Sequence, residues 1–392
     1  MSIKRAALYR GVLTGLCAAV SSGVPLAAHA QSSVTLYGAI DNGISYASNQ
    51  KGNHNFYLSQ GSLNASKFGF LGSEDLGGGL KTIFRLEAGY NSLTGAASSS
   101  GYEFNRQAYV GLSDQQYGTL TVGRQYTPYF NFVGALGPTG YLTGVTGAHP
   151  GDLDALDTTL RFNNSLTYTS PVISGLQGSV QYGLGGVAGD FTQGNTLSAA
   201  LHYEMGNFRA AVGYVRLNDP SSSNALGTVA DNSPVNSAYA SAETNQMVAA
   251  AAQYTFGGLM VGLNYSNVLY RPGSGSAFKQ TAVFNTYGAI STYQVTQAIT
   301  VAAGYSYTRA SESNGISDSA RYNQVSFEQT YAFSKRTCVY FLEAYQHASG
   351  QALSSNGTSI VNAVAVVGDS QNTTPSSGPS QFVGTIGLRH FF

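Results

Sequence analysis

Phe382-Val-Gly-Thr-Ile-Gly-Leu-Arg-His-Phe-Phe392, the end of the chain, decides the fold. A strand's two-residue period puts Phe382, Gly384, Ile386, Leu388, His390 and Phe392 on one face. Val383, Thr385, Gly387, Arg389 and Phe391 take the other. A strand that stops on a free aromatic carboxylate finishes a soluble domain poorly. It suits the closing strand of an outer-membrane barrel, with the last aromatic in the interfacial girdle. Taken alone, the segment also fits the edge strand of a soluble sheet.

The opposite end argues for export. Lys4, Arg5 and Arg10 make a positive region, an uncharged apolar stretch follows over 11–24, and Ala28-His-Ala30 fits signal-peptidase cleavage before Gln31. The stretch is too short and too rich in Gly and Ser to span a bilayer well as a helix, although a retained anchor is the alternative. The chain therefore divides into a cleaved signal over 1–30 and one barrel domain over 31–392. Beyond Ala30 no apolar stretch approaches the ~20 residues of a membrane helix, so any crossing must be made by a closed barrel.

Composition agrees. With 12% aromatic residues and only 10% charged, the chain is not built like a disordered one. The 19 Lys+Arg and 19 Asp+Glu balance before cleavage, and losing Lys4, Arg5 and Arg10 leaves the mature chain slightly acidic. That balance carries no nucleic-acid footprint. Cys17 leaves with the signal and Cys338 remains alone, so neither a disulfide nor a cysteine metal site is available within one chain.

Between the ends, segments with two-residue alternation recur. Leu259, Val261, Leu263 and Tyr265 stand against Met260, Gly262, Asn264 and Ser266, and Val325, Phe327, Tyr331 and Phe333 against Gln324, Ser326, Glu328 and Thr330. Tight connections such as Gly206-Asn207 and Gly257-Gly258 alternate with long ones over 127–159, 219–242 and 350–380. Short turns at one end and long loops at the other predict an all-β, antiparallel transmembrane barrel of about 16 strands, wide enough for an aqueous lumen. A β-helix would need a fixed short repeat, which is absent. A soluble sandwich is disfavoured by the terminal strand and the two-sided loop lengths.

Several segments together carry a family resemblance. They are Ser33-Val-Thr-Leu-Tyr-Gly-Ala-Ile-Asp41, Ser66-Lys-Phe-Gly-Phe-Leu-Gly-Ser-Glu-Asp-Leu-Gly-Gly-Gly-Leu-Lys81, Phe84-Arg-Leu-Glu-Ala-Gly89, Asn105-Arg-Gln-Ala-Tyr-Val-Gly-Leu112, Gly118-Thr-Leu-Thr-Val-Gly-Arg-Gln125 and Gly387-Leu-Arg-His-Phe391. Their combination and order resemble the general diffusion porins of Gram-negative bacteria, of the betaproteobacterial type, over the whole mature chain. The resemblance implies a homotrimer in the outer membrane, among lipid and lipopolysaccharide, that passes ions and small hydrophilic solutes by passive diffusion. It also implies assembly through recognition of Phe392 by the barrel-assembly machinery, and a third extracellular loop, the long 127–159 segment, folded into the lumen as the constriction. Read without the resemblance, 127–159 is equally a plain surface loop.

A constriction needs wall charges, whose field orients polar solutes and biases ion choice. Alternation turns Lys67 inward beside Phe68, and Arg85 and Glu87 inward beside Phe84 and Leu86. Arg106 and Arg161 are added chiefly by the resemblance, which matches Lys67, Arg106 and Arg161 to basic wall residues and Glu87 to the carboxylate beside them. Asp152, Asp154 and Asp157 in the loop are candidates for the acidic side. For each charge a solvated rim position or a local ion pair is the competing reading. Arg124 shares a face with Leu120 and Val122 and is expected at the rim. Related porins often carry an acid early in this loop. Here 130–140 has none before Asp152, so a positive constriction and an anion preference are expected.

No cofactor, metal or catalytic set is expected. His54, His149, His202, His347 and His390 show no metal-ligand spacing, and no Gly-x-Ser-x-Gly occurs. His54, His149 and His347 read as loop or rim residues, His202 as a wall or interface residue and His390 as a girdle residue. Gly183-Leu-Gly-Gly-Val-Ala-Gly189 lacks the Lys and helix of a phosphate loop. A substrate-selective channel and a surface adhesin remain as alternatives, the second because of the long last loop.

Overall fold

A computed structural model describes residues 32–142, 146–157, 160–220, 226–228, 233–369 and 375–392. The export segment expected over 1–30 lies outside them. Strands account for most of the chain. In order they are β1 (Ser33–Gln50), β2 (Asn53–Gln60), β3 (Lys67–Gly77), β4 (Leu80–Gly89), β5 (Gln107–Asp114), β6 (Gly118–Tyr126), β7 (Arg161–Thr169), β8 (Leu176–Gly183), β9 (Thr196–Met205) and β10 (Phe208–Asn218). There follow β11 (Leu226–Thr228), β12 (Thr244–Phe256), β13 (Leu259–Arg271), β14 (Ala282–Gln294), β15 (Ile299–Ala310), β16 (Arg321–Ala332), β17 (Thr337–Ser349), β18 (Gln351–Leu353), β19 (Ile360–Asn362) and β20 (Ser380–Phe391).

These strands close into a 16-stranded antiparallel barrel. β2 and β3 lie end to end as one interrupted stave: β2 pairs with the second half of β1 and β3 with the first. β11 adds only a short pairing to β7, and β18 with β19 forms a separate hairpin in the last loop. Every other strand pairs with its sequence neighbours, and β1 pairs with β20, so no sheet edge is left open to lipid.

At the seam Ala39 faces Phe391 and Ala47 faces Val383. Just below them Gly38 and Phe392 exchange two backbone hydrogen bonds of 3.1 Å. The Phe392 ring lies over Gly38, where a Cβ would fall 2.2 Å from the ring and 2.6 Å from the fixed Lys67 carbonyl oxygen, so only glycine fits. Along the terminal strand Ile386 and Leu388 are exposed and Thr385 is fully buried, the partition that its alternation predicts.

The same alternation runs round the wall. On β13 Leu259, Val261 and Leu263 are exposed while Met260, Asn264 and Ser266 are buried. Outward apolar residues suit lipid, and the opposite face carries the polar and charged side chains. No helix among the described residues is long and apolar enough to cross a membrane. Short turns such as 206–207 and 257–258 gather at one end, and the long loops at the other.

The largest buried apolar cluster joins long loops to strands. Tyr129, Val133, Leu136, Leu153 and Leu156 of the third long loop pack with Val215, Met247, Val268 and Tyr270 of β10, β12 and β13. Val235, Ala238 and Tyr239 of the 219–243 connection join the same cluster. Part of the barrel's non-lipid face, on β10, β12 and β13, is thus covered by its own loops.

Candidate functional site

The polar face of β3 to β7 gathers the predicted cations. Glu87 on β4 is their hub. Its Oε1 accepts from Arg106 Nε at 2.8 Å, and its Oε2 from Arg85 Nη2 at 3.1 Å and from the Tyr37 hydroxyl at 2.7 Å. Arg85 Nε also donates to Tyr37 Oη at 2.8 Å, and its guanidinium lies 5.1 Å from the Tyr37 ring centre. Arg161, opening β7, donates to the Tyr126 hydroxyl at 3.2 Å. The Tyr126 ring is flanked by two guanidinium groups, Arg161 at 4.9 Å and Arg106 at 5.7 Å. One buried carboxylate therefore answers two arginines, and among the described residues Lys67 and Arg161 form no ion pair with a carboxylate of this wall.

Arg124 is the exception foreseen for the rim. It is buried instead, donating to Asn105 O at 2.7 Å, with its guanidinium 4.9 Å from the Tyr102 ring. A register shift between Gly123 and Gln125 breaks the alternation that placed it, and the 90–106 loop covers it.

The third long loop supplies the facing side. Its first turn is α1 (Pro128–Val133), started by Pro at its first turn and capped by Thr127 Oγ1, which accepts from Phe130 N at 3.2 Å. The loop is pinned to the polar face of the wall. Tyr129 N donates to Ser198 Oγ on β9 at 3.2 Å, Gln253 Nε2 on β12 to Leu136 O at 2.7 Å, and Gln324 Nε2 on β16 to Ala148 O at 3.0 Å. Tyr129 crosses β10 over Gly213, where a Cβ would sit 2.9 Å from its ring.

The three loop aspartates part ways. Asp154 is fully buried, its Oδ2 2.6 Å from His149 Nδ1 and 2.5 Å from Ser266 Oγ. Burial pushes that carboxyl up, but His149 and the Ser266 hydroxyl outweigh it and hold it below the ordinary value. His149, expected at a rim, is therefore an interior group that braces the loop. Asp152 is turned into the loop and accepts from Asp157 N at 3.0 Å. Asp157 is buried too, but it lines a cavity between loop and wall. Burial first, and then the neighbouring Asp369 and Asp152 carboxyls, raise it well above the ordinary value against the pull of Arg106.

Two cavities meet at Lys67, Phe130 and Asn131. One, of about 260 Å³, is bounded by Lys67 and Arg106 on the wall and by Asp157 and Asp369 from the loops. The other, of about 490 Å³, continues past Arg85, Glu87, Gln107 and Tyr126 toward the short turns. Of the predicted residues, Lys67, Arg85, Glu87, Arg106 and Asp157 border these cavities. Arg161 reaches them through Tyr126, and Asp152 and Asp154 do not line them. Tyr37, Tyr126 and Asp369 were not anticipated. Among the described residues no group of His, Cys, Asp or Glu could hold a metal ion, and Cys338 is buried with no second cysteine.

Residues 15–351 match the Gram-negative porin family. An outer membrane porin protein of Bordetella pertussis is 34% identical over 230 residues, covering 52% of this chain and 59% of that protein. The major outer membrane protein P.IB of Neisseria meningitidis is 33% identical over 198 residues, covering 49% of this chain and 56% of that protein. The chain spans about half the length of the curated relatives it matches. Among solved structures, an anion-selective porin from Comamonas acidovorans superposes with a TM-score of 0.67 at 20% identity, covering 92% of this chain and 100% of that one. The trimer form of in-vitro-folded OmpT from Vibrio cholerae gives a TM-score of 0.63 at 14% identity and 92% coverage of this chain. These two likenesses concern the fold.

Proposed function

Because this chain belongs to the Gram-negative porin family, we propose that it forms a water-filled channel through the outer membrane for passive diffusion of ions and small hydrophilic solutes. The observation that carries the reading is the junction of the two cavities at Lys67, between a cationic wall and a loop pinned across the barrel. A solute crossing there leaves bulk water for a passage lined by fixed charges. Lys67, Arg85, Arg106 and Arg161 outnumber Glu87 on the wall, so the field along that wall is positive and draws anions. Tyr126, held between Arg106 and Arg161, keeps the two guanidinium groups apart.

In this reading the 127–159 loop is the constriction, and Asp157 is its charged tip among the three loop aspartates. The polar face of the wall lines the lumen. Residues 1–30 are removed on export, three copies assemble side by side among lipid and lipopolysaccharide, and Phe392 at the seam is the terminus offered to the assembly machinery. The adhesin reading loses its cue, since part of the long last loop is buried against the wall rather than displayed. The family and the relatives are channels rather than enzymes.

Planar-bilayer recording of the refolded protein tests the reading. Large ohmic steps in groups of three, with a reversal potential of anionic sign under a KCl gradient, are expected. A folded, heat-modifiable barrel that passes no current would overturn it.

A further inference from the structure

The last long loop does not stay outside. Ala363, Ala365, Val366, Val367 and Asp369 are all buried, and the segment is tied down at several points. Val366 N donates to Gln346 Oε1 at 2.7 Å and Val367 N to Gln381 Oε1 at 3.0 Å, both on the polar face of the wall. Gly368 O accepts from Gly151 N at 2.9 Å, which locks this loop to the 127–159 loop. That geometry delivers Asp369 to the cavity bounded by Lys67 and Arg106.

We propose that Asp369, carried by the last loop, is a selectivity-determining residue of the channel, and that with Asp157 it forms a two-loop acidic side facing Lys67 and Arg106. The proposal rests on the channel reading above and adds the residue and the loop that set the negative half of its field. The expected source of that half was the 127–159 loop alone. Of its three aspartates, however, Asp154 is spent on His149 and Ser266, and Asp152 on the Asp157 backbone. Asp157 remains, and its side chain hydrogen-bonds Asp369. Two carboxyls in hydrogen-bond contact share a proton more readily than either ionises alone, so the pair acts as one unit with one net negative charge. Asp152 and Arg106 are the other charged groups that act on Asp157. Removing either member leaves the other free to ionise, so the unit keeps its one charge until both are replaced, and Asp369 can carry it as well as Asp157.

Two measurements on the full-length refolded protein test this. The first is positional. In a Cys338→Ser background, Asp157→Cys with Asp369→Cys should be joined by a short bis-thiol reagent, seen as a band shift on a denaturing gel that reduction does not reverse. Asp190→Cys with Asp369→Cys should not be joined, since Asp190 sits exposed in the 184–195 loop. Failure of the first pair to crosslink in a folded barrel overturns the proposal without any appeal to conduction. The second is functional. Asp157→Asn together with Asp369→Asn should raise the anion-to-cation permeability ratio by about twofold in ~0.1 M salt, the size expected of one partly screened charge at this range. Either substitution alone leaves one ionised carboxyl and should change the ratio little, and Asp190→Asn should change nothing. A double variant that matches Asp190→Asn, or Asp157→Asn alone giving the whole effect, overturns the proposal and leaves the channel reading standing. A crosslinked, folded barrel silent in every variant overturns the channel reading, and the proposal with it.

Discussion

Gln324 and Gln346 face one another in register on β16 and β17, and the Gln346 side-chain amide donates to Gln324 Oε1 at 2.7 Å. Gln381 on β20 continues the row, in register with Gln346. Each amide then reaches inward to a loop: Gln324 to Thr146 O and Ala148 O, Gln346 to both backbone groups of Val366, and Gln381 to Val367 N. A primary amide offers donors and an acceptor together, so one row can hold two irregular backbones against the wall.

Gln346→Met keeps the volume and removes the clamp. Val366 N and O would then be buried without partners, at about 1–3 kcal/mol for each group left unsatisfied. The last loop should detach, giving a higher single-channel conductance together with a lower thermal midpoint of the folded band. A variant with wild-type conductance would mean that the loop is held by something other than Gln346.

Glu87→Ala takes the one carboxylate from between Arg85 and Arg106. The Arg106–Glu87 arm is almost wholly buried, with side chains 6% and 1% exposed, and losing one partner of such a pair costs about 3–5 kcal/mol. Arg85, 29% exposed, can turn to solvent and contributes less. Glu87→Ala should therefore lower the midpoint of unfolding in detergent and urea, while Arg85→Ala changes it little. The surviving Glu87→Ala channels should be more anion-selective.

The strands were readable from the sequence because lipid on one side and polar groups on the other impose a two-residue period, as on β13 and β20. Lys67, Arg85 and Glu87 follow from that period alone. Arg106 precedes β5 and Arg161 opens β7, where alternation is only beginning, so they needed the family pattern. Arg124 was misplaced because a register shift beside it breaks the period. Asp369 was not legible, since its placement comes from tertiary clamps on Gln346, Gln381 and Gly151 rather than from its neighbours in sequence. A cue was present in Ala363-Val-Ala-Val-Val367, an apolar run inside a polar loop, which has no reason to remain in water.

Asp157 gives the site a pH dependence of definite sign. An unfolded carboxyl titrates near about 4, and the folded value of Asp157 lies well above that. Between the two the folded state keeps a proton that the unfolded state has released. Its stabilising contribution is thus complete below the unfolded value and is lost as pH rises through the folded one. Asp154, held low by His149 and Ser266, runs the other way, contributing above the ordinary value and fading as pH falls. Thermal midpoints measured across pH should therefore fall in wild type as pH rises above the ordinary carboxyl value and flatten there in Asp157→Asn, with the behaviour below that value unchanged. Parallel curves for the two proteins across the range would sink the assignment.

Closure of the barrel depends on a residue with no side chain. A Cβ at Gly38 would lie 2.2 Å from the Phe392 ring and 2.6 Å from Lys67 O. The ring is the end of the chain and can swing aside, but the Lys67 carbonyl belongs to the β1–β3 ladder and cannot. Gly38→Val should accordingly reduce the yield of the folded, heat-modifiable form severely. Adding Phe392→Ala should recover only part of it, because the backbone clash persists. By itself Phe392→Ala removes the girdle ring but leaves the paired 3.1 Å backbone bonds between Gly38 and Phe392 intact, so it should slow assembly more than it destabilises the finished barrel. Folding time courses into detergent or lipid, followed by the gel shift, separate these effects. Full recovery in the double variant would show that the ring alone demands glycine at the seam.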